Sequence, residues 1–301
     1  NCRKYCFNHR RSPPLKLRGA KLNSDEGLMP EDGTEDDIAL RPGPNADPQE
    51  DIERYISSEV RALYDVFSYR HAAAILANSF PDELREIEKA LLNFRITQRE
   101  IGMPGGNESD MPKKFSRTLR PAGWVETRIQ GDLLVRLQEY DEIFSANNKS
   151  KKVMRANVQS RVIENFIDGH KIDYVKGRVA FDLEWNSKDQ TFDRDLYALR
   201  TFHECGLLSA GVLVTRSASL NPVFEKVPQL DKSGNEVGKP VKAKYGASTT
   251  WMGKLLYRLN AGRHGGHPVA AGAGAAPVDG GRCGAGGLVA SGRAARRRRG
   301  V

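Results

Sequence analysis

The sequence predicts an α/β fold, and three observations carry that prediction. Between Val162 and Val214 the apolar pattern runs strand, strand, helix, strand. Upstream, Ile52, Tyr55, Ile56, Val60, Leu63, Tyr64 and Phe67 recur at the three and four spacing of an amphipathic helix. Downstream, Trp251, Leu255, Leu256 and Leu259 share one helical face that stops at Gly262.

A chain of 301 residues, 39% hydrophobic, has room for one large or two small domains with a true core. No apolar run approaches the ~20 residues of a membrane helix, and the basic N-terminus lacks the apolar stretch of a signal peptide. The chain reads as soluble and cytoplasmic. Cys2, Cys6, Cys205 and Cys283 form no disulfide framework. Cys2, Cys6 and His9 lack the fourth ligand that a structural zinc site wants.

The formal charge is +9, but residues 268–301 hold six Arg against one Asp, leaving +4 for the rest. So mild a basic bias admits nucleic acid as a partner without requiring it.

In chain order, residues 1–21 carry seven Lys or Arg and no acid, and residues 22–53 carry eleven acids and a single Arg. Without apolar periodicity, residues 1–51 read as a disordered, charge-segregated extension. The fold is expected to span 52–267. A helix from Ile52 is followed by a second after Ser79 and Pro81, with Leu84, Ile87, Leu91 and Phe94 on one face. Residues 103–114, MPGGNESDMPKK, read as an irregular loop in which Lys113 and Lys114 could track a phosphate backbone. Two short strands are expected around Gly131 and Asp132, and an exposed connection over 147–155.

Three strands follow, Ile163–Ile167, Lys171–Val175 and Arg178–Trp185, with turns at Gly169 and at Lys176 and Gly177. In the third, Val179, Phe181, Leu183 and Trp185 point one way and Asp182, Glu184 and Asn186 the other. The next helix, capped by Thr191 or Asp193, buries Phe192, Leu196, Leu199 and Phe202 and ends at Gly206. His203 on it reads as a packing or surface residue. Residues 210–215 form a buried strand, 221–244 a long hairpin or loop, and Ser248 or Thr249 caps the last helix.

The acids of the central strands carry the readable chemistry. Hard divalent cations such as Mg²⁺ take oxygen ligands, and two carboxylates from adjacent strands can hold one beside a phosphate. A two-residue turn at Lys176 and Gly177 makes paired residue numbers sum to about 353, with Asp173 facing Ala180. Asp182 is then diagonal and Glu184 one step further, so spacing alone leaves open which of them partners Asp173.

The residues IDYVKGRVAFDLEWNSKDQTFDRDL, with GVLVTRS after the next helix and KYGASTTWMGKLLYRL later, resemble the BglII-type branch of type II restriction endonucleases over about 54–266. The resemblance implies a PD-(D/E)xK nuclease core, a mixed β-sheet flanked by helices, that cuts double-stranded DNA at a short palindrome as a homodimer with Mg²⁺. It also admits a cognate DNA methyltransferase in the same system, which the sequence alone does not decide. Carried over by position, Asp173 is the first metal-binding acid and Glu184 the second. Asn186 stands where most of the superfamily has Lys, and an amide can only hydrogen-bond the attacking water. Lys188, on the same face if the strand persists, supplies the missing charge or contacts a phosphate. The alternative is an inactive or truncated DNA-binding remnant.

That alternative arises from the C-terminal end. An apolar core strand is expected after the last helix, but Gly265, Gly266, His267, Pro268 and Val269 run into Ala, Gly and Arg-rich sequence, as a shifted reading frame would produce. The expectation is therefore a missing terminal strand and a disordered tail over 268–301.

Overall fold

The computed structural model describes residues 41–104, 110–156, 159–246, 248–274 and 278–279. The first forty residues and the Arg-rich segment from 280 onward, both read from sequence as disordered, lie outside the described residues.

The N-terminal part runs α1 (Gln49–Tyr55), α2 (Ser58–Leu63), β1 (Tyr64–Tyr69), α3 (Ala72–Ser79) and α4 (Pro81–Asn93). The helix expected from Ile52 to Phe67 is thus divided, and its last quarter, from Tyr64, is a strand. Glu88 of α4 accepts a hydrogen bond from the Ser57 backbone N–H at 2.8 Å, in place of a continuing helical ladder. The aromatic and β-branched residues of YDVFSY favour a pleated surface once a neighbouring strand is present. α4 follows expectation: Pro81 opens it, Asp82 and Glu83 occupy its first turn, and Leu84, Ile87 and Leu91 are buried.

β2 (Ile96–Thr97) and α5 (Gln98–Gly102) come next, the helix held by a reciprocal capping box between Thr97 and Glu100. α6 (Asp110–Leu119) occupies part of what was expected to be irregular loop. Pro112 lies in its first turn, where a missing N–H costs nothing, and Met111, Phe115 and Leu119 are buried one turn apart. Lys114 pairs with Glu100 at 2.7 Å rather than standing open to a phosphate.

β3 (Val125–Leu137) and β6 (Gln159–Lys176) form a long antiparallel ribbon, joined through β4 (Tyr140–Phe144) and β5 (Ser150–Met154), which pair with each other. The turns expected at Gly131, Asp132 and Gly169 are absent. The register shifts near Val125, Ile129 and Gly131 absorb the extra residues as bulges, and Asp132 Oδ1 accepts the Asn165 N–H at 2.8 Å.

The remaining elements are β7 (Val179–Glu184), α7 (Thr191–Glu204), β8 (Ala210–Arg216), α8 (Asn221–Lys226), the hairpin β9 (Pro228–Leu230) and β10 (Glu236–Pro240), and α9 (Met252–Asn260), which begins after Trp251 rather than at Ser248 or Thr249. Last come β11 (Val269–Gly274) and β12 (Val278–Asp279), the latter paired with β2.

Among the described residues, the main sheet has six strands in the order β1, β11, β8, β7, β6, β3. β11, β8 and β7 are mutually parallel and the other pairings antiparallel, so this is a mixed sheet flanked by helices, as the sequence reading requires. One face packs on α1 to α4 and α6, the other on α7 and α9.

β11 corrects the expectation of a lost strand and moves the end of the fold beyond residue 267. VAAGAG pairs along its whole length with β1 on one side and β8 on the other, and all six residues are buried. The expectation failed because it asked for large apolar side chains. A strand with neighbours on both edges satisfies its backbone by pairing alone. Small side chains have a consequence, however: an apolar cavity of about 40 Å³ remains between Ala270, Gly272, Val212, Val214, Tyr64, Leu76 and Ile87.

Candidate active site

The acids converge because β7 is buried on both faces and alternates as a strand must. Val179, Phe181 and Leu183 enter the core beneath α4 and α6, while Ala180, Asp182 and Glu184 face the α7 side. Thr215 of β8 anchors the strand end by donating to the Glu184 backbone carbonyl at 2.6 Å.

The β6–β7 register differs from the one expected. Tyr174 pairs with Phe181 and Lys176 with Val179, so the two-residue turn is Gly177 and Arg178, with Gly177 at φ 55°. Continued by one residue, this register sets Asp173 opposite Asp182. At that point the side chains replace the ladder. Asp182 Oδ1 accepts the Asp173 N–H at 2.7 Å, and the Asp173 carboxylate accepts the Leu183 N–H. This brace fixes both carboxylates where the strands part.

A fourth acid arrives from α7. Asp195 is 1% exposed, its Oδ1 is 3.1 Å from His170 Nε2 on β6, and the exposed Arg194 guanidinium approaches it at 3.5 Å. Ligand atoms of His170, Asp182 and Asp195 all lie within 4.8 Å of one another. Asp173 is exposed at the rim, whereas Asp182, Glu184 and Asp195 lie behind it.

Crowding raises the acids' proton affinity. Burial pushes Glu184 up to about 8, with the Asp195 charge next in importance and a Ser187 hydrogen bond opposing it. Burial, then the Asp173 and Asp195 charges, hold Asp182 well above the usual carboxylate range. Asp173 is raised too, by lost hydration and by Asp195, against the Leu183 hydrogen bond. Glu184 Oε2 and both oxygens of Asp195 are buried without a hydrogen-bond partner. Unsatisfied carboxylate oxygens in this number are costly. A divalent cation would satisfy them, and their oxygen chemistry fits Mg²⁺.

Asn186 and Lys188 fall outside this buried group. β7 ends at Glu184, Asn186 and Lys188 are exposed, and the Lys188 backbone bridges to Thr249. Lys188 therefore does not share a continuing strand face with Asn186, contrary to expectation; the bend at Trp185 to Ser187 redirects it. His203 is a packing residue, with Nδ1 at 3.0 Å from the Leu208 carbonyl oxygen and its ring 5.0 Å from that of His267.

Asp195 and His170 were missed from sequence. Asp195 had a signal, since it lies three residues after Phe192 and four before Leu199, on the buried stripe of α7. His170 was hidden by the turn expected at Gly169.

The profile of the restriction endonuclease BglII/BglIII family matches residues 64–271, from the start of β1 into β11. The chain belongs to the BglII/BglIII restriction endonuclease family. The matched span contains Asp173, Asp182, Glu184, His170 and Asp195. No curated protein matches the chain. Membership makes DNA the substrate class. Among the described residues, no helix is long and apolar enough to cross a membrane.

Proposed function

We propose that this BglII/BglIII family member is a Mg²⁺-dependent type II endonuclease that hydrolyses phosphodiester bonds of double-stranded DNA at a short palindromic site. The observation that carries the reading is the convergence of Asp173, Asp182 and Glu184 at the point where β6 and β7 part, with Glu184 Oε2 buried and without a hydrogen-bond partner. Asp173 and Glu184 would hold the ion, and Asp182 is the alternative to Glu184. When bound, Mg²⁺ would acidify water and neutralise charge on the scissile phosphate.

The chain's own groups do the rest. Asp182 holds the Asp173 backbone in place. Asn186, exposed just beyond the strand end, hydrogen-bonds water without a titratable group, and Lys188 offers a cation to a phosphate. The exposed rim at Asp173 leaves one side of the group open to a duplex.

A palindromic site calls for a twofold partner, and we assign that role to a second copy of the chain. Exposed apolar side chains on the ribbon, among them Leu137, Tyr140, Ile143 and Phe144, support self-association. A restriction activity of this kind works beside a methyltransferase that protects the same site.

Incubation with plasmid and Mg²⁺ tests the reading. Discrete fragments are expected, and Asp173→Ala and Glu184→Ala should abolish them while DNA binding persists. A mobility shift without cleavage in the unaltered protein would overturn it.

A further inference from the structure

Among the described residues, Asp195 is a buried acid held by ion pairs without hydrogen bonds, its Oδ1 3.1 Å from His170 Nε2 and 3.5 Å from Arg194 Nη2. It is 1% exposed, neither oxygen has a hydrogen-bond partner, and it reaches Asp173, Asp182 and Glu184 electrostatically. An ordinary buried Asp–His pair would not look like this. At 3.1 Å, His170 Nε2 is near enough to Oδ1 to donate, yet the alignment is not that of a hydrogen bond. The two groups meet as an ion-pair contact without a hydrogen bond, and Asp182 completes a set of three ligand atoms within 4.8 Å.

We propose that His170, Asp195 and Asp182 form a cation site containing one imidazole nitrogen, adjoining the Asp173 and Glu184 pair, that selects a first-row transition ion such as Mn²⁺ or Co²⁺. The inference rests on the nuclease reading only for the identity of the neighbouring pair. Nitrogen and oxygen ligands stand about 2.0–2.2 Å from such ions, so the ligand atoms need move only slightly to enclose one. Imidazole binds first-row transition ions well, whereas Mg²⁺ prefers oxygen and water. The donor set therefore differs in kind from that of the all-carboxylate pair. Each element contributes one ligand: His170 from β6, Asp182 from β7 and Asp195 from α7.

The test uses the full chain loaded with Mn²⁺ alone and read by pulsed electron paramagnetic resonance. A ¹⁴N coupling from a directly bound imidazole is expected. It should vanish in His170→Asn and survive in His203→Gln, which lies outside the cluster. Equilibrium dialysis should show Mn²⁺ affinity falling about tenfold or more in His170→Asn and in Asp195→Asn, with Mg²⁺ affinity changed by less than about twofold in His170→Asn. No nitrogen coupling in the unaltered protein, or coupling that persists in His170→Asn, overturns the site whatever the variants do to folding. Plasmid cleavage in Mg²⁺ without a nitrogen signal leaves the nuclease reading standing and removes this site. A nitrogen signal without cleavage does the reverse.

Discussion

A test of β11 separates two consequences of building a central strand from VAAGAG. At Gly272 an added Cβ would meet only Val214 Cγ2, at 3.8 Å, on the side of the sheet that holds the 40 Å³ cavity. The residue is outside the left-handed region, so alanine fits its backbone. One buried methyl group contributes about 0.8 kcal/mol, and the reduced freedom of the unfolded chain adds ~0.4–1 kcal/mol. Gly272→Ala should therefore stabilise the protein by about 1–2 kcal/mol. At Gly274 the same atom would stand 2.5 Å from Tyr64 Cε1 and 3.0 Å from Cδ1, in a ring that is 5% exposed and whose hydroxyl donates to the Leu91 carbonyl. The ring cannot swing away without losing that bond, so Gly274→Ala should destabilise by about 1–3 kcal/mol. Urea unfolding of the two variants beside the parent reads both signs. If both variants unfold at the parent's midpoint, β11 does not pair with β1 and β8 in this register and the reasoning fails.

Three further outcomes follow from the site and its support. Metal-free protein should lose stability as pH rises from about 4.5 to about 8: Glu184 is raised to about 8, so the folded state binds more protons than the unfolded one across that window. Glu184→Gln should flatten that slope, which thermal melts at stepped pH would show, and a slope unchanged by the substitution would reject the assignment. In plasmid cleavage, Asp182→Ala should be milder than Glu184→Ala if Glu184 is the second ligand, and equal losses would point to Asp182 instead. Glu86→Ala should cost about 1–3 kcal/mol in denaturant unfolding, because Glu86 accepts from both Lys176 Nζ and Trp124 Nε1, with Trp124 fully buried; loss of less than about 0.5 kcal/mol would show that these bonds contribute nothing.

Local periodicity made α4, α7, β7 and β8 readable, because in each the residues that face the core are neighbours in sequence. It also yielded the acid face of β7, since Asp182 and Glu184 alternate with Phe181 and Leu183 whatever the partner strand does. What depends on a distant partner was not readable. Gly131 and Gly169 look like turn residues, yet in the ribbon they are accommodated by bulges that exist only because β3 and β6 run alongside each other. β1 looks helical until β11 supplies its ladder, more than two hundred residues away.

The two-residue displacement of the β6–β7 register shows how much chemistry such a distant decision controls. With the turn at Lys176 and Gly177, Asp173 faces Ala180 and the acids are scattered along the strand. With the turn at Gly177 and Arg178, Asp173 meets Asp182 and each strand's backbone is bound by the other's carboxylate. Burying these acids, and to a lesser degree bringing their like charges so close, opposes folding, as the raised Asp182 and Glu184 show. The register persists because the apolar faces demand it: Tyr174 against Phe181 and Val175 against Ala180 seat their side chains in the two opposite cores, and a shift would disturb both pairings. The core thus imposes an arrangement that the acids alone would avoid. A cation bound among them would relieve that opposition, so the feature that weakens the metal-free protein is also what makes the site bind.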